Sequence, residues 1–231
     1  MSVKIKSALS MLVAVMTLML SSVVALAAEQ DIVTNQDSMN EIIAEINSEY
    51  GTNIHILSKE ELKKYGLPEN TNDNEVNFDS NSFEKELRYI AEVEIPEYDR
   101  ITKESISGLQ SKESTLNYFN TKENTTNISI NSASPVTAKK AINYATAGAK
   151  AYIKKNNYGN NVWETVTNVF CETNMYQTKW FLSVNPSVSK IDAGRTLYWT
   201  GTGDYCGYVG GKQIYYSSGT QHAELYVGKY A

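Results

Sequence analysis

The sequence predicts an α+β protein, with a small acidic α/β unit, a linker, and then a helix packed on an antiparallel β-meander. Residues after 160 alternate between apolar and polar side chains and are divided by short turns, as in neighbouring antiparallel strands. Residues 138–153 instead show the apolar spacing of an amphipathic helix. The N-terminal half carries two helix-start signals on either side of a short alternating segment.

The first 27 residues have the pattern of a cleavable signal peptide. Lys4 and Lys6 precede an apolar stretch over residues 8–26, and small residues lead to a cleavage position after Ala27. A retained membrane helix is the alternative, since the stretch is nearly long enough to span a bilayer. The next charged residue, however, is the acidic Glu29, which provides no positive flank. We therefore expect cleavage, secretion to the extracellular space and no membrane span in the mature chain.

Charge is divided unevenly along the remaining chain. Residues 28–136 hold 21 acidic and 9 basic side chains, whereas residues 137–231 hold 5 acidic and 10 basic ones. Either the acidic half is a pro-region that covers a basic domain, or each half carries its own solvated surface. Charge asymmetry alone favours the second interpretation. The basic excess is modest and contains no arginine cluster, which argues against a nucleic-acid partner.

The acidic unit, residues 28–106, is predicted to contain a helix, a strand and a second helix. Ser38 and Glu41 form a capping box at the start of the first helix, and Gly51 ends it. Residues 53–57 alternate as a short strand. The second helix shows the same two signals, a capping box and a closing glycine, at Ser58, Glu61 and Gly66.

A third helix is expected over residues 81–94, with Pro96 as its end. Residues 107–134 are rich in Ser, Thr and Asn and are predicted to be a linker. Upstream, Phe78 stands where a calcium-binding loop would need glycine, so a polar linker without a metal is preferred to a calcium site. The oxygen-bearing side chains that follow the calcium-loop spacing are Asp73, Glu75, Asn77, Asp79, Asn81 and Glu84.

The C-terminal domain, residues 135–231, is predicted to begin with a helix from Thr137 to Asn157 that ends at Gly159. The apolar face of this helix is mostly alanine, which favours packing on a sheet over binding to a membrane surface. An antiparallel meander of five or six strands follows, as a curled sheet, a small barrel or a sandwich. The expected strands are 162–171, 175–185, 196–200, 205–209, 213–217 and 223–229, with a two-residue turn at Gly210–Gly211. Within the second of these strands, the side chains expected on one face are Tyr176, Trp180, Leu182 and Val184.

Cys171 and Cys206 are the two cysteines of the chain. In an exported protein such a pair favours a disulfide, which would close a loop of about 36 residues and contribute roughly 3–4 kcal/mol of stability. The alternative is a nucleophilic cysteine served by His222. His222 and Glu224 also adjoin on one strand face, where Asp204 could join them, but surface pairs of this kind are usually structural. We therefore expect no catalytic residue, no cofactor and no metal site, while a catalytic activity that leaves no local motif stays open.

Aromatic residues are concentrated in the C-terminal half, which holds eleven of the 16 tyrosines and all three tryptophans. Adjacent strand residues point to opposite faces, so some of these tyrosines should lie at the surface and bind a ligand. The expected ligand-binding residues are Tyr198, Tyr205, Tyr208, Tyr215, Tyr216 and Tyr226. The sequence thus predicts a secreted, non-enzymatic binding protein for an extracellular protein, peptide or polysaccharide. The alternative is the precursor of a bacteriocin-like or toxin-like effector with an acidic pro-region and a basic, disulfide-bonded C-terminal domain.

Overall fold

A computed structural model describes residues 35–69, 78–119 and 134–230, with residues 109–119 given as helix backbone. The signal peptide predicted for residues 1–27 lies outside these ranges. The helices are α1 (35–50), α2 (Lys59–Tyr65), α3 (Ser80–Tyr89) and α4 (Ile95–Phe119). The strands are β1 (His55–Ile56), β2 (Val136–Ile142), β3 (Ala145–Lys155), β4 (Asn161–Glu172), β5 (Lys179–Ile191), β6 (Thr196–Val209) and β7 (Lys212–Tyr226). Within the described ranges, no helix is long and apolar enough to cross a membrane.

The strands form two antiparallel sheets. The larger sheet contains β1, β7, β6 and β5 in that order, and the smaller sheet contains β2, β3 and β4. Apolar side chains of both sheets share one core cluster, in which Trp163 of the smaller sheet and Trp199 of the larger sheet are buried. The α+β class with antiparallel strands is confirmed. The predicted meander is divided between two sheets, which within the described residues do not close into a barrel.

The helices of the acidic half pack against the larger sheet and share its core. Ile46 of α1 and Leu87 of α3 belong to the same buried cluster as Phe181 of β5 and Tyr205 of β6. Tyr98 of α4 stacks on Tyr205 with the ring centroids 3.9 Å apart. β1 also adds a short strand to the sheet by pairing with β7. Burial of these side chains against one another joins the two halves of the chain in one core.

The predicted order of helix, strand and helix is confirmed in the first part of the chain. At α2 the capping box is complete, because the Ser58 hydroxyl accepts from the Glu61 N–H at 3.3 Å and the Glu61 carboxylate accepts from the Ser58 N–H at 2.8 Å. Gly66 then ends α2 with a φ of +67°, in the left-handed region that favours glycine. The capping box predicted at Ser38 is wrong, because α1 is already helical upstream of Ser38.

The third helix does not end at Pro96, contrary to the prediction. α3 leads into a π-helical turn, Ile90–Glu94, and α4 continues from it. The N–H of Ile95 bonds to the carbonyl of Ile90, five residues back. Proline lacks an N–H and crowds the carbonyl four residues before it. The π turn widens the helix immediately before Pro96, so the chain remains helical through the proline.

The two segments predicted to be polar linkers are described in part. α4 extends into the linker predicted for residues 107–134, whose first part is therefore helical, while residues 120–133 lie outside the described ranges. In the calcium-loop spacing, residues 73–77 also lie outside them. Asp79 serves as the N-cap of α3, where its carboxylate accepts a hydrogen bond from the N–H of Asn81 at 3.1 Å.

The alanine-rich segment predicted as a helix over Thr137–Asn157 is a β-hairpin formed by β2 and β3. Ala147, Ala149 and Ala151 occupy alternate positions of β3, and all three are fully buried in the core between the sheets. The alanines of this segment also fit a helical spacing, and the high helix propensity of alanine adds to that signal. Packing overrides propensity here, because small side chains let β3 lie close to the tryptophans of the core.

β6 and β7 are longer than predicted, since each of them joins two expected strands. β6 continues through residues 201–204, between its two expected strands, and β7 continues through residues 218–222, between its own two. The predicted turn between them at Gly210–Gly211 is confirmed, with φ values of +55° and +79°. These positive values suit the two-residue turn of a hairpin, whose twist matches that of the flanking strands.

β5 differs from the regular alternating strand that was predicted. Tyr176 lies in the turn before β5, and its side chain is 100% exposed. Trp180 and Leu182 share one cluster, as expected. Ser183 then has a φ of +52° at a register shift, and Val184 packs into the clusters on the other side of the sheet. A β-bulge of this kind reverses the face on which the following side chains lie.

The predicted disulfide is wrong, because Cys171 and Cys206 are free thiols. Cys206 packs with Trp180, whereas Cys171 packs against the cluster that contains Phe181. Adjacent residues of a strand point to opposite faces, so the larger sheet separates the two thiols. Burial raises the pKa of Cys171 to about 11 and also raises the pKa of Cys206. Neither thiol is therefore a ready nucleophile at neutral pH.

Candidate functional site

The larger sheet has one face in the shared core and an outer face. The outer face is the one that carries Tyr198, Thr202, Asp204 and Cys206 of β6. At one end α2 covers it, where Leu62 packs in a cluster with Cys206. At the other end α4 crosses it, where Tyr198 donates a hydrogen bond to a main-chain carbonyl of α4. Among the described residues, the stretch of the outer face between the two helices is open to solvent.

Six polar side chains on three adjacent strands occupy this open stretch, which we call the polar strip. They lie at neighbouring cross-strand positions, since Asp204 is opposite Ser218 and Thr202 lies between Asn185 and Thr220. The hydroxyls of Thr202 and Thr220 are hydrogen-bonded to each other at 2.8 Å. The polar strip consists of Asn185, Ser187, Thr202, Asp204, Ser218 and Thr220.

The carboxylate of Asp204 is held by donors from two elements. Ser218 donates to one carboxylate oxygen at 2.6 Å, and the phenol of Tyr65 at the end of α2 donates to the other at 2.9 Å. The Lys64 ammonium lies 3.7 Å from the Asp204 carboxylate, and the Asp204 side chain is 17% exposed. Burial and the hydrogen bond to Asp204 raise the pKa of Tyr65, so the phenol keeps its proton and donates it. Each carboxylate oxygen has further lone pairs that can accept a hydrogen bond from a ligand.

An aromatic pair borders the polar strip on the side of α2. The hydroxyl of Tyr215 is hydrogen-bonded to Ser218 at 2.9 Å, and its ring stacks on His55 with centroids 4.7 Å apart. Nε2 of His55 lies 2.9 Å from the Glu61 carboxylate. Tyr215 is thus fixed at its ring and at its hydroxyl, so this border of the strip is pre-organised.

A serine–histidine pair lies at the other border, beneath α4. The hydroxyl of Ser105 donates to the carbonyl of Ile101 at 2.7 Å, and Nδ1 of His222 lies 2.9 Å from the same hydroxyl oxygen. The one proton of the serine is used on Ile101, so Nδ1 of His222 is the donor to Ser105. Ser105 is also fully buried. This pair therefore lacks the geometry of an activated nucleophile and instead attaches α4 to the sheet.

The six tyrosines singled out in the sequence lie in four environments. Tyr205 and Tyr216 are buried in the core shared with the helices, and Tyr198 is buried beneath α4. Tyr208 and Tyr215 are half-buried on the outer face near α2, and Tyr226 is exposed at the far end of β7. Adjacent Tyr215 and Tyr216 point to opposite faces, as predicted. Of the six tyrosines, Tyr215 is the one whose hydroxyl bonds to a residue of the polar strip.

Asp204 does not join His222 and Glu224, contrary to the arrangement that the sequence allowed. All three lie on the outer face, but Asp204 is opposite Ser218, whereas Glu224 is opposite Tyr198, much further along β6. Over the described part of the chain, no three His, Cys, Asp or Glu side chains are arranged to hold a metal ion. The partners of Asp204 are therefore Ser218, Tyr65 and Lys64 rather than His222 and Glu224.

Comparison with known proteins does not assign the chain to a family. No family model, no curated protein and no solved structure matches it.

Sequence reasoning missed the polar strip because its central residues fall between the expected strands. The usable signal is the alternation of short polar side chains over residues 200–204 and 218–222, which continues the period of two from the flanking strands. The glycines among them, Gly201, Gly203 and Gly219, lie on the opposite face, where an added Cβ would come within 3.0 Å of neighbouring core atoms. They therefore serve close packing within strands, although they lie between the strands that the sequence predicts.

Proposed function

We propose that the chain is a secreted, non-enzymatic binding protein whose extracellular ligand lies on the polar strip. The observation that carries this proposal is the carboxylate of Asp204, which is 17% exposed and held by Tyr65 and Ser218 in the middle of the outer face. A carboxylate on an ordinary solvated strand stays free and hydrated. Partial burial of a charge costs free energy, and fixing the direction of its lone pairs is useful for recognition.

The helices at both borders support the same proposal. α2 supplies Tyr65, and α4 is attached by Ser105 and by Thr102, whose hydroxyl accepts a hydrogen bond from the N–H of Thr220 at 2.9 Å. The polar strip therefore lies between two helices, α2 and α4, that are both hydrogen-bonded to the sheet. Side chains on rigid elements keep their geometry when a ligand arrives, which lowers the entropy cost of binding.

The packing of the acidic half favours a binding protein over the precursor of a released effector. α1 and α3 supply Ile46 and Leu87 to the core of the larger sheet, and Glu94 forms an ion pair with Lys179 of β5. In this pair the Glu94 side chain is 12% exposed. Release of the basic half would expose the apolar side of its sheet and break a largely buried ion pair, which is costly.

Retention on extracellular material tests the proposal. The purified chain is mixed with washed cell envelopes and with concentrated culture polymers of the producing organism, and the bound fraction is measured by sedimentation. Asp204→Asn should weaken retention about tenfold or more, because a hydrogen bond to a charged group is lost. Asp99→Asn removes the same charge from an exposed position of α4 and should bind like the unmodified chain. No retention of the unmodified chain on either material, or equal retention of Asp204→Asn, would contradict the proposal.

A further inference from the structure

We infer that the ligand of the polar strip is an uncharged polysaccharide, an inference that rests on the proposed function. The first argument is the chemistry of the surface. Apart from Asp204 and Asn185, all members of the strip are hydroxyl side chains, and the hydroxyls of Ser187 and Thr200 extend the array at 2.9 Å from each other. Hydroxyl groups both donate and accept, so they match the hydroxyls of a sugar, which have the same dual character.

Asp204 adds the strong acceptor that such a ligand needs. One oxygen of its carboxylate accepts from Ser218, and the other oxygen accepts from Tyr65. Two neighbouring hydroxyls of a sugar ring can donate to the two oxygens of one carboxylate. Charge-assisted hydrogen bonds of this kind are about twice as strong as neutral ones, which makes Asp204 the centre of the site.

The charges around the polar strip favour an uncharged ligand. Asp204 is the one ionised member of the strip, and the Lys64 ammonium 3.7 Å away balances it. At the border, His55 is paired with Glu61. A polyanion would meet the carboxylate of Asp204, and a polycation would meet a single carboxylate already held by three neighbours. The strip therefore offers neither a polyanion nor a polycation a surface of opposite charge, which such polymers need for tight binding.

The position of the strip also favours a polysaccharide over a peptide. Peptides commonly add to a free strand edge or place apolar side chains in a groove. The strip lies on the face of the sheet, centred on β6, whose main chain is paired with β5 on one side and β7 on the other, and within the strip the N–H of Thr220 is bound by Thr102 of α4. The exposed members of the strip are Asn185, Ser187, Thr202 and Ser218, which offer no apolar pocket. At its border, the half-buried ring of Tyr215 offers an aromatic surface for a sugar ring.

Selective destruction of the ligand tests the inference. Washed envelopes and culture polymers are treated either with periodate, which cleaves vicinal diols, or with a broad-specificity protease, and retention of the unmodified chain is measured again. Cellulose, xylan and starch, whose 1,4-linked rings carry the vicinal diols that periodate cleaves, serve as defined uncharged probes. The inference requires that periodate abolishes retention, that protease leaves it unchanged, and that at least one defined polysaccharide retains the chain.

A paired variant keeps the test independent of folding defects. Thr202→Val together with Thr220→Val removes two hydroxyls of the strip but preserves shape and β-branching, and it should lower retention on the defined polysaccharide by about tenfold. Thr165→Val on β4, an exposed position of the smaller sheet, should have no effect.

Retention that is lost after protease treatment and kept after periodate would overturn the polysaccharide inference, although the chain would still be a binding protein. Absence of any retention of the unmodified chain would instead overturn the proposed function itself.

Discussion

Replacement of Ile46 by alanine tests whether the acidic half and the β-strands form one cooperative core. Ile46 lies on α1, is fully buried and belongs to the cluster that contains Phe181 and Tyr205. Truncation of a buried isoleucine to alanine costs about 2–5 kcal/mol, through lost burial and the cavity left behind. For a urea dependence of roughly 2 kcal/mol/M, a loss of about 3 kcal/mol moves the unfolding midpoint by about 1.5 M.

Tryptophan fluorescence gives this measurement its power, because all three tryptophans report on the β-strands. Trp163, Trp180 and Trp199 are each buried in the sheets, far along the chain from the substituted residue. If the two halves share one core, Ile46→Ala lowers the fluorescence midpoint and the circular-dichroism midpoint by the same amount. Ser48→Ala, at an exposed position of the same helix, should change the free energy of unfolding by less than about 0.5 kcal/mol. An unchanged fluorescence transition, with only the helical signal lost earlier, would refute the shared core.

Three further predictions concern the turn, the thiols and the capping box. Gly210→Ala should destabilise the fold by more than about 1 kcal/mol, because φ is +55° and the new Cβ would lie 2.6 Å from Phe83; an unchanged urea midpoint would contradict this geometry. Both cysteines are free, so intact mass spectrometry should give the same mass with and without reductant, and alkylation in denaturant should modify two thiols. A mass two units lower before reduction would show that the disulfide does form. Partial burial works against ionisation of Glu61, but hydrogen bonds from Ser58 and His55 outweigh it and lower its pKa below 4.5. A lowered folded-state pKa stabilises the protein above the unfolded-state pKa and loses this effect as pH falls through the folded value. The stability difference between the unmodified chain and Glu61→Gln should therefore be present at pH 7 and vanish at acidic pH; an equal difference at both pH values would contradict this reasoning.

The parts of the fold that could be predicted from the sequence depend on short-range physics. The capping box at Ser58 and the left-handed glycines at Gly66 and Gly210 are decided by neighbouring backbone atoms, and each is found where the residue types require it. The class follows from the alternation of the last hundred residues. These signals need no knowledge of which elements meet in space.

The errors come from contacts between residues that are distant along the chain. The hairpin of β2 and β3 was predicted as a helix, since its alanines satisfy both periods and the choice is made by pairing with β4 and by packing against Trp163 and Trp199. Its turn is fixed by Gln221 of β7, whose side chain bonds both the N–H and the carbonyl of Asn143 at 2.9 Å. The disulfide prediction was wrong because strand pairing decides the face of the sheet on which each cysteine lies. The spacing of Cys171 and Cys206 along the chain carries no information on that pairing.

The candidate site shows the same division. The six tyrosines singled out in the sequence all lie on β6 and β7, but burial of Tyr198, Tyr205 and Tyr216 is decided by the helices that cover them. Asp204 becomes distinctive only when Tyr65, 139 residues earlier in the chain, reaches its carboxylate. Hydrogen bonds of this sequence separation cannot be deduced from local pattern.

Hydroxyl-radical footprinting of the chain with and without its ligand material tests most directly whether the polar strip is the binding surface. The method measures the solvent access of individual side chains, and Tyr158 and Tyr176, which are 88% and 100% exposed, are internal controls in the turns before β4 and β5. We expect oxidation of Tyr65, Tyr215 and His55 to fall on addition of the polysaccharide that retains the chain, with the two control tyrosines unchanged. Protection confined to Tyr158, Tyr176 or the smaller sheet, with Tyr215 still oxidised at its free rate, would contradict the assignment of the site.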